Sequence, residues 1–156
     1  MIKDNIDFHN VAEMTETENG WKMSRLPSVV TERMEEGASS VAAYGTGVEL
    51  RFKIKGDAVT LKLRAEEAAE AQTAHIYYGA FQGGWENSSR TILTKETAVR
   101  IERPENFKFM QQVTEERGLG FNPEVVRVVL PYGTCIYLGV EGEVEAPAPE
   151  DYPAKT

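Results

Sequence analysis

Residues 47–66 read GVELRFKIKGDAVTLKLRAE, and this stretch decides the fold. Apolar residues at 48, 50, 52 and 54 alternate with charged ones, and after Gly56-Asp57 the apolar residues at 59, 61 and 63 alternate with polar ones. A period of two places the apolar side chains on one face of a strand and the charges on the other. Because Gly-Asp favours a tight turn, the pattern predicts an antiparallel hairpin with one solvent-exposed face.

Further strands are predicted on both sides of this stretch, at residues 5–14, 74–82, 92–102, 124–131 and 135–145. The valines at 125, 126, 128 and 129 favour a strand that is buried on both faces, since β-branched side chains pack well on a pleated surface. Many short strands separated by Gly, Pro and Asn turns are typical of a sandwich or barrel. The chain is therefore predicted to be mainly β, as an antiparallel β-sandwich with one or two short helices.

The two predicted helices interrupt the strands. In SRLPSVVTERMEEG (24–37), Ser24 is a candidate cap, Pro27 fits the first turn and Gly37 is a candidate end. The apolar residues at helical spacing would form its buried face: Leu26, Val29, Val30 and Met34. A second helix is predicted in PENFKFMQQVTEERG (104–118), ending at Gly118.

Composition excludes several classes of protein. The 156 residues are enough for one globular domain, and 41% hydrophobic residues argue against disorder. With 25 acidic and 17 basic residues the net charge is −8, so nucleic acid is not expected as a partner. No apolar run is long enough to span a bilayer, and the amino terminus lacks the apolar core of a secretory signal, which predicts a cytoplasmic protein. The single Cys135 is predicted to be a buried strand thiol.

No catalytic residue, metal ligand or cofactor is predicted. The sequence has two histidines, His9 and His75, and no Gly-x-Ser-x-Gly motif; Ser39 follows a predicted helix, which is the wrong context for an exposed nucleophile. His9 and Glu13 would point the same way on a strand, but two ligands are too few for a metal. No glycine-rich phosphate loop occurs. Three neighbouring carboxylates are expected to form only a solvated turn or short helix: Glu66, Glu67 and Glu70.

One segment favours ligand binding: HIYYGAFQGGWENSSR, residues 75–90. Aromatic rings flanked by glycines in a loop suit sugars or acyl-glycoside substrates, because they combine an apolar face with a polar tip. The candidate ligand-binding residues are Trp85, Tyr78, Tyr77, Phe81 and, outside the segment, Trp21. The alternatives stay open that Trp85 and Trp21 pack over the ends of the core. Since neighbouring strand residues face opposite ways, one of Tyr77 and Tyr78 is expected in the core.

Several pieces of the chain, taken in order and spacing, resemble the amino-terminal domain that precedes the catalytic domain in bacterial SGNH (GDSL-type) lipolytic ester hydrolases. The pieces are Gly20-Trp21, Arg25-Leu26-Pro27, residues 47–52 (GVELRF), Phe121-Asn122-Pro123, Val126-Arg127, Leu130-Pro131 and residues 139–142 (GVEG). The resemblance implies a jelly-roll sandwich similar to carbohydrate-binding modules. In that family a Pro-rich connector then leads into the hydrolase domain.

The resemblance divides the chain into a sandwich domain, residues 1–145, and a Pro-rich acidic linker, residues 146–156. The family's nucleophile block, in which a strand leads into Gly-x-Ser, is absent, because Gly37-Ala38-Ser39 follows a predicted helix; the late Asp-x-x-His is absent as well, so no catalytic residue carries over. The chain is thus expected to be a non-catalytic accessory domain. It would shape or cover the active site of a following ester hydrolase domain, with a carbohydrate-bearing or acyl-ester substrate. The alternatives are an independent carbohydrate-binding module and a structural or assembly sandwich.

Overall fold

The computed structural model describes residues 1–66, 71–84 and 88–154. In chain order the elements are β1 (Ile2–Lys3), β2 (Ile6–His9), β3 (Glu13–Thr17), β4 (Gly20–Ser24), α1 (Ser28–Thr31), α2 (Glu36–Ala42), β5 (Glu49–Ile54), β6 (Ala58–Ala65), β7 (Gln72–Tyr78), β8 (Phe81–Gln82), β9 (Ser89–Ile92), β10 (Thr97–Glu102), α3 (Phe107–Arg117), β11 (Val125–Val129), β12 (Cys135–Glu141) and β13 (Val144–Glu145). A short 3₁₀ helix follows at Pro149–Asp151.

The strands of the described residues form two antiparallel sheets. The larger sheet runs β1-β2-β5-β11-β7-β8, with β13 beside β5 and β9 beside β7, and the smaller sheet runs β10-β6-β12-β4-β3. Apolar side chains from both sheets form one core. The predicted antiparallel β-sandwich is confirmed.

The predicted hairpin between β5 and β6 is wrong. β5 lies in the larger sheet between β2 and β11, whereas β6 lies in the smaller sheet between β10 and β12. A tight two-residue turn of the favoured hairpin types needs a positive φ, and neither Gly56 nor Asp57 has one. The chain instead crosses between sheets, and Arg103 donates hydrogen bonds to the carbonyls of Ile54 (2.7 Å) and Gly56 (3.1 Å).

This crossing explains why both halves of the stretch alternate in the same way. The apolar side chains of β5 and β6 face each other across the core and are almost fully buried: Leu50, Phe52 and Ile54 against Val59, Leu61 and Leu63. The hydroxyl of Tyr78 on β7 reaches across the sandwich and donates to the Glu102 carbonyl of β10 at 2.5 Å. Burial raises the pKa of Tyr78 to about 12.

Other strand predictions hold with shifted boundaries. Segment 5–14 is divided between β2 and β3, and segment 92–102 between the end of β9 and β10. In β11, Val125 is fully buried on the outer side while Val126 and Val128 are buried on the inner side, so this strand is covered on both faces as predicted. Cys135 is a buried thiol on β12, and desolvation raises its pKa to about 12.

The first predicted helix is wrong in extent and in its buried face. Ser24 ends strand β4 instead of capping a helix, and Gly37 lies inside α2. The four-residue α1 buries none of its residues, and Val29 is 56% exposed. A single turn of helix cannot present a continuous stripe to the core. The second helix is confirmed as α3, with Met110 buried and Gly118 ending it in the left-handed conformation.

Candidate functional site

The outer face of the larger sheet carries a row of polar residues aligned by strand register. Asp7 on β2 pairs with Arg51 on β5, Arg51 pairs with Arg127 on β11, and Arg127 pairs with Tyr77 on β7. Directly paired residues of neighbouring strands share a face and lie close enough to interact. Two arginines therefore stand side by side in the middle of the sheet.

Glu49 lies between these two arginines and binds both. Its carboxylate accepts hydrogen bonds from Arg127 Nη2 (2.7 Å) and Nε (2.9 Å) and from Arg51 Nε (2.7 Å). The side chains of Glu49 and Arg51 are only 13% and 12% exposed. Burial acts to raise the pKa of Glu49, but the hydrogen bonds from Arg127 and Arg51 outweigh it and hold the pKa below its usual value.

Two aromatic rings cover the arginines from the solvent side. The Phe121 ring centroid lies 4.6 Å from the Arg127 guanidinium carbon, and the Tyr152 ring centroid lies 5.2 Å from that of Arg51. The two rings meet edge to face with centroids 5.6 Å apart. These distances are typical of cation–π contacts. We call this group the arginine layer: Glu49, Arg51, Arg127, Phe121 and Tyr152.

The carboxy-terminal segment, which supplies Tyr152, is held on the sandwich by polar contacts beside the arginine layer. The Tyr152 hydroxyl donates to Asp7 Oδ2 at 2.9 Å, and Asp151 accepts from Asn122 Nδ2 at 2.6 Å and from the Ala148 amide at 2.8 Å. Lys53 Nζ lies 3.0 Å from Asp151 Oδ2. Residues 148–152 of the predicted linker are thus packed against the sandwich. That the segment leads to a catalytic domain stays a prediction.

Two glycines allow the chain to approach this face closely. Gly79 has φ +58°, and a Cβ there would lie 2.8 Å from the Phe121 carbonyl oxygen. A Cβ at Gly120 would lie 2.8 Å from the Pro153 Cα. Both contacts are shorter than a side chain tolerates, so glycine is required for Phe121 and Pro153 to sit where they do.

A second feature is an open cleft of about 910 Å³ at one end of the sandwich. We call it the tyrosine cleft and define it by the aromatic and polar side chains that line it: Tyr44, Glu66, Thr73, His75, Tyr132 and Thr134. The rings of Tyr44 and Tyr132 pack edge to face at 4.7 Å, and Tyr132 is 66% exposed. The cleft combines aromatic surface with polar groups, as small-molecule sites commonly do.

The predicted aromatic candidates are dispersed over the fold. Tyr78 is buried in the core, which leaves Tyr77 as the outward-facing member of the pair, 5.3 Å from the Arg127 guanidinium. Phe81 is half-buried on β8 against the core. Trp21 lies on β4, half-buried against the core, with Lys3 Nζ 3.9 Å from its ring centroid. Trp85 lies outside the described residues, as do Glu67 and Glu70.

None of the residues of the tyrosine cleft was among the candidate ligand-binding residues; His75 only begins the segment 75–90, and Glu66 was assigned to a solvated turn or short helix. A signal for one of them was present, because Tyr132 stands between Pro131 and Gly133, and an aromatic residue in such a turn is often exposed. His75 projects from the outer side of β7 and is exposed, which brings it to the cleft. Tyr44 follows α2 and could not be placed beside Tyr132 from sequence, since 88 positions separate them.

The remaining titratable groups do not gather into a metal site in the part of the chain that is described: no three His, Cys, Asp or Glu side chains lie suitably close. His9 lies beside Glu49 in register, and burial, followed by the charge of Arg51, lowers its pKa. None of the described helices is long and apolar enough to cross a membrane.

Comparisons with known proteins identify the fold but not a family. No family model matches the sequence, and no curated protein matches it significantly. Among solved structures, the chain is similar to the salicylyl-acyltransferase SsfX3 from a tetracycline biosynthetic pathway, with a TM-score of 0.65 at 11% identity. The match covers 92% of this chain and 39% of that protein, so the chain spans well under half the length of its structural neighbour.

Proposed function

We propose that this chain is a non-catalytic accessory β-sandwich domain of an SGNH-type ester hydrolase or a related acyl-transferring enzyme. The observation that carries the proposal is the structural likeness: nearly the whole chain corresponds to 39% of a larger protein that is named as an acyltransferase. Ester hydrolases and acyltransferases both pass an acyl group from a donor to an acceptor, water in the first case. The two classes therefore make related demands on an accessory domain.

The arginine layer supports the proposal independently. The sequence pieces that resemble the SGNH accessory domain lie far apart in the chain, yet three of them supply its members: Glu49 and Arg51 from 47–52, Phe121 from 121–123, and Arg127 from 126–127. Asn122, from the same pieces, binds Asp151 in the counterpart of the family's connector. Three of the seven pieces thus meet where the carboxy-terminal segment packs on the sandwich.

In this proposal the arginine layer sets the direction in which the connector leaves the domain. Three side-chain contacts, from Asp151 to Asn122 and Lys53 and from Tyr152 to Asp7, hold the segment before Pro153, and proline restricts the chain beyond it. A connector fixed in this way would hold the accessory domain in one orientation over a neighbouring active site. A flexible linker would not.

The coding sequence downstream of Thr156 gives the first test. We expect a strand followed by a Gly-x-Ser block, and we expect a protein that includes this region to hydrolyse 4-nitrophenyl acetate. The chain of residues 1–156 by itself is expected to be inactive on the same ester. A stop codon directly after Thr156 would contradict the proposal, and so would turnover by the rigorously purified chain alone.

The role of the accessory domain is tested by comparing the longer protein with its catalytic region alone. We expect removal of residues 1–145 to lower kcat/KM for a large acyl ester more than for 4-nitrophenyl acetate, because shaping a substrate site affects large substrates most. Equal effects on both esters would argue for a purely structural domain. A cytoplasmic location stays part of the proposal.

A further inference from the structure

The tyrosine cleft has a preformed aromatic wall. The Tyr132 ring is supported by the edge-to-face contact with Tyr44 at 4.7 Å, while 66% of the residue stays exposed. A ring held in place loses little conformational entropy when a ligand stacks on it. The volume of about 910 Å³ is within the range that holds small organic ligands.

The polar groups of the cleft surround this wall. Thr73 and His75 project from β7, Thr134 follows the Tyr132 turn, and Glu66 follows the end of β6. Hydroxyl, imidazole and carboxylate groups together offer both donors and acceptors. An aromatic wall with such a rim matches a ring that has apolar C–H faces and hydroxyl edges.

The charge of the cleft further restricts the class of ligand that it can bind. Among its lining residues in the described chain, none is Lys or Arg, and the Glu66 carboxylate lies 4.0 Å from Lys22 Nζ, which is outside the lining. An anionic ligand would meet no counter-charge within the lining, because the nearby Lys22 already pairs with Glu66. The two tyrosine rings meet at an interplanar angle of 69°, so they do not form a parallel slot for a flat aromatic ligand.

We propose that the tyrosine cleft binds a neutral carbohydrate, with one sugar ring stacked on Tyr132 and its hydroxyl groups bonded to His75, Thr134 and Glu66. The inference rests on the proposed function, because the bound sugar would be the carbohydrate part of that enzyme's substrate. Its test does not depend on that function, because binding is measured on this chain without any catalytic domain. A failure here would leave the turnover experiments above unaffected.

The experiment titrates the chain with the neutral trisaccharides maltotriose, cellotriose, xylotriose and chitotriose, using calorimetry and the amide NMR shifts of Thr73, His75 and Thr134. We expect at least one of them to bind and to shift these amides. Tyr132→Ala is expected to weaken binding about ten-fold or more, since stacking on a tyrosine face is lost. Tyr132→Phe, which keeps the ring, is expected to retain most of the affinity.

The matched control is Phe109→Ala, because Phe109 on α3 is similarly exposed at 62% but lies outside the cleft. It should leave binding unchanged, and thermal melting checks that every variant is folded. Trigalacturonate and salicylate serve as the anionic and flat aromatic probes. The proposal is overturned if none of the four neutral trisaccharides shifts the cleft amides, if Tyr132→Ala binds as well as the parent chain, or if trigalacturonate or salicylate binds there more tightly than the neutral trisaccharides.

Discussion

The outer faces of the two sheets begin from the same sequence pattern and end in different environments. On the smaller sheet, Lys62 pairs with Glu141, and their side chains are 30% and 65% exposed. On the larger sheet, Glu49 and Arg51 occupy equivalent alternating positions but lie beneath Phe121 and Tyr152. The position of a charged residue in an alternating pattern therefore does not predict whether its side chain is exposed to solvent.

This difference changes what an ion pair contributes. Exposed pairs contribute little, because water and salt screen them and ordering the side chains costs entropy. A pair beneath a cover has lost its water, so removing one partner leaves the other charge buried and uncompensated. The larger sheet should thus depend on its ion pairs, and the smaller sheet should not.

The largest difference between the two sheets is expected for Glu49→Ala, which leaves Arg51 and Arg127 side by side without their shared carboxylate. We expect a loss of about 3 kcal/mol in the free energy of unfolding, measured by urea denaturation. Glu141→Ala is the matched control on the exposed face and should cause no measurable loss. Equal losses for the two variants would mean that the cover has no energetic effect.

Gly79→Ala tests the cover itself. The new methyl group would collide with the carbonyl of Phe121 and would also strain a backbone with φ +58°. We expect a loss of about 2 kcal/mol, because both effects oppose the native position of the 121–123 loop. Gly56→Ala is the control, since open space surrounds Gly56 and its φ is not positive. A stability for Gly79→Ala equal to that of the control would contradict the close approach.

The docked carboxy-terminal segment should respond to acid. Burial acts to raise the pKa of Asp151, but the Ala148 amide, Lys53 and Asn122 outweigh it and hold the pKa below its usual value. A lowered pKa stabilises the folded state above the ordinary value of about 4, and this stabilisation is lost as the pH falls further. We therefore expect the segment to detach below about pH 4, seen as a lower protection factor of the Tyr152 amide, which is the intrinsic exchange rate at the same pH divided by the observed rate.

Asp151→Asn tests whether the Asp151 carboxylate causes this response to acid. It removes the charge while keeping a side chain of similar shape, and we expect it to lower stability at neutral pH by about 1 kcal/mol. The acid step in Tyr152 exchange should also disappear. If the step persisted in Asp151→Asn, another carboxylate would be responsible for it.

The smallest effect is expected from Gly120→Ala, which pushes only against Pro153. The global free energy of unfolding should stay unchanged, because the segment can shift while the core stays packed. Hydrogen exchange should nevertheless become faster at the amides of Asp151 and Tyr152, which bond the carbonyls of Ala148 and Pro149. Unchanged exchange there would show that Pro153 does not depend on this contact.

The alternation of apolar and polar residues predicted the strands, but it could not predict which strands pair. The pattern of β5 and β6 is satisfied equally by a hairpin within one sheet and by two strands facing each other, because both bury the same side chains. The structure has the second arrangement, because β5 pairs with β2 and β11 while β6 pairs with β10 and β12. The first helix failed for a related reason, since apolar spacing at Val29 and Val30 does not ensure a core to face.

Site prediction succeeded less well, because it followed local composition. The aromatic segment 75–90 was conspicuous in sequence, yet Tyr78 is a core residue and Phe81 packs on the core. Tyr44 and Tyr132 were inconspicuous, and the fold brings them to 4.7 Å. Residues that line a cleft are selected by long-range packing, which a window of neighbouring residues does not contain.

The sequence by itself determined which apolar side chains of β5 and β6 enter the core, because these follow from alternation along a single strand. Tertiary structure alone decided which strands pair, which charged face is covered and which aromatic rings meet. These outcomes depend on contacts between residues far apart in the chain, such as Glu49 with Arg127 and Asp7 with Tyr152. Such contacts form only once the hydrophobic core has brought distant segments together.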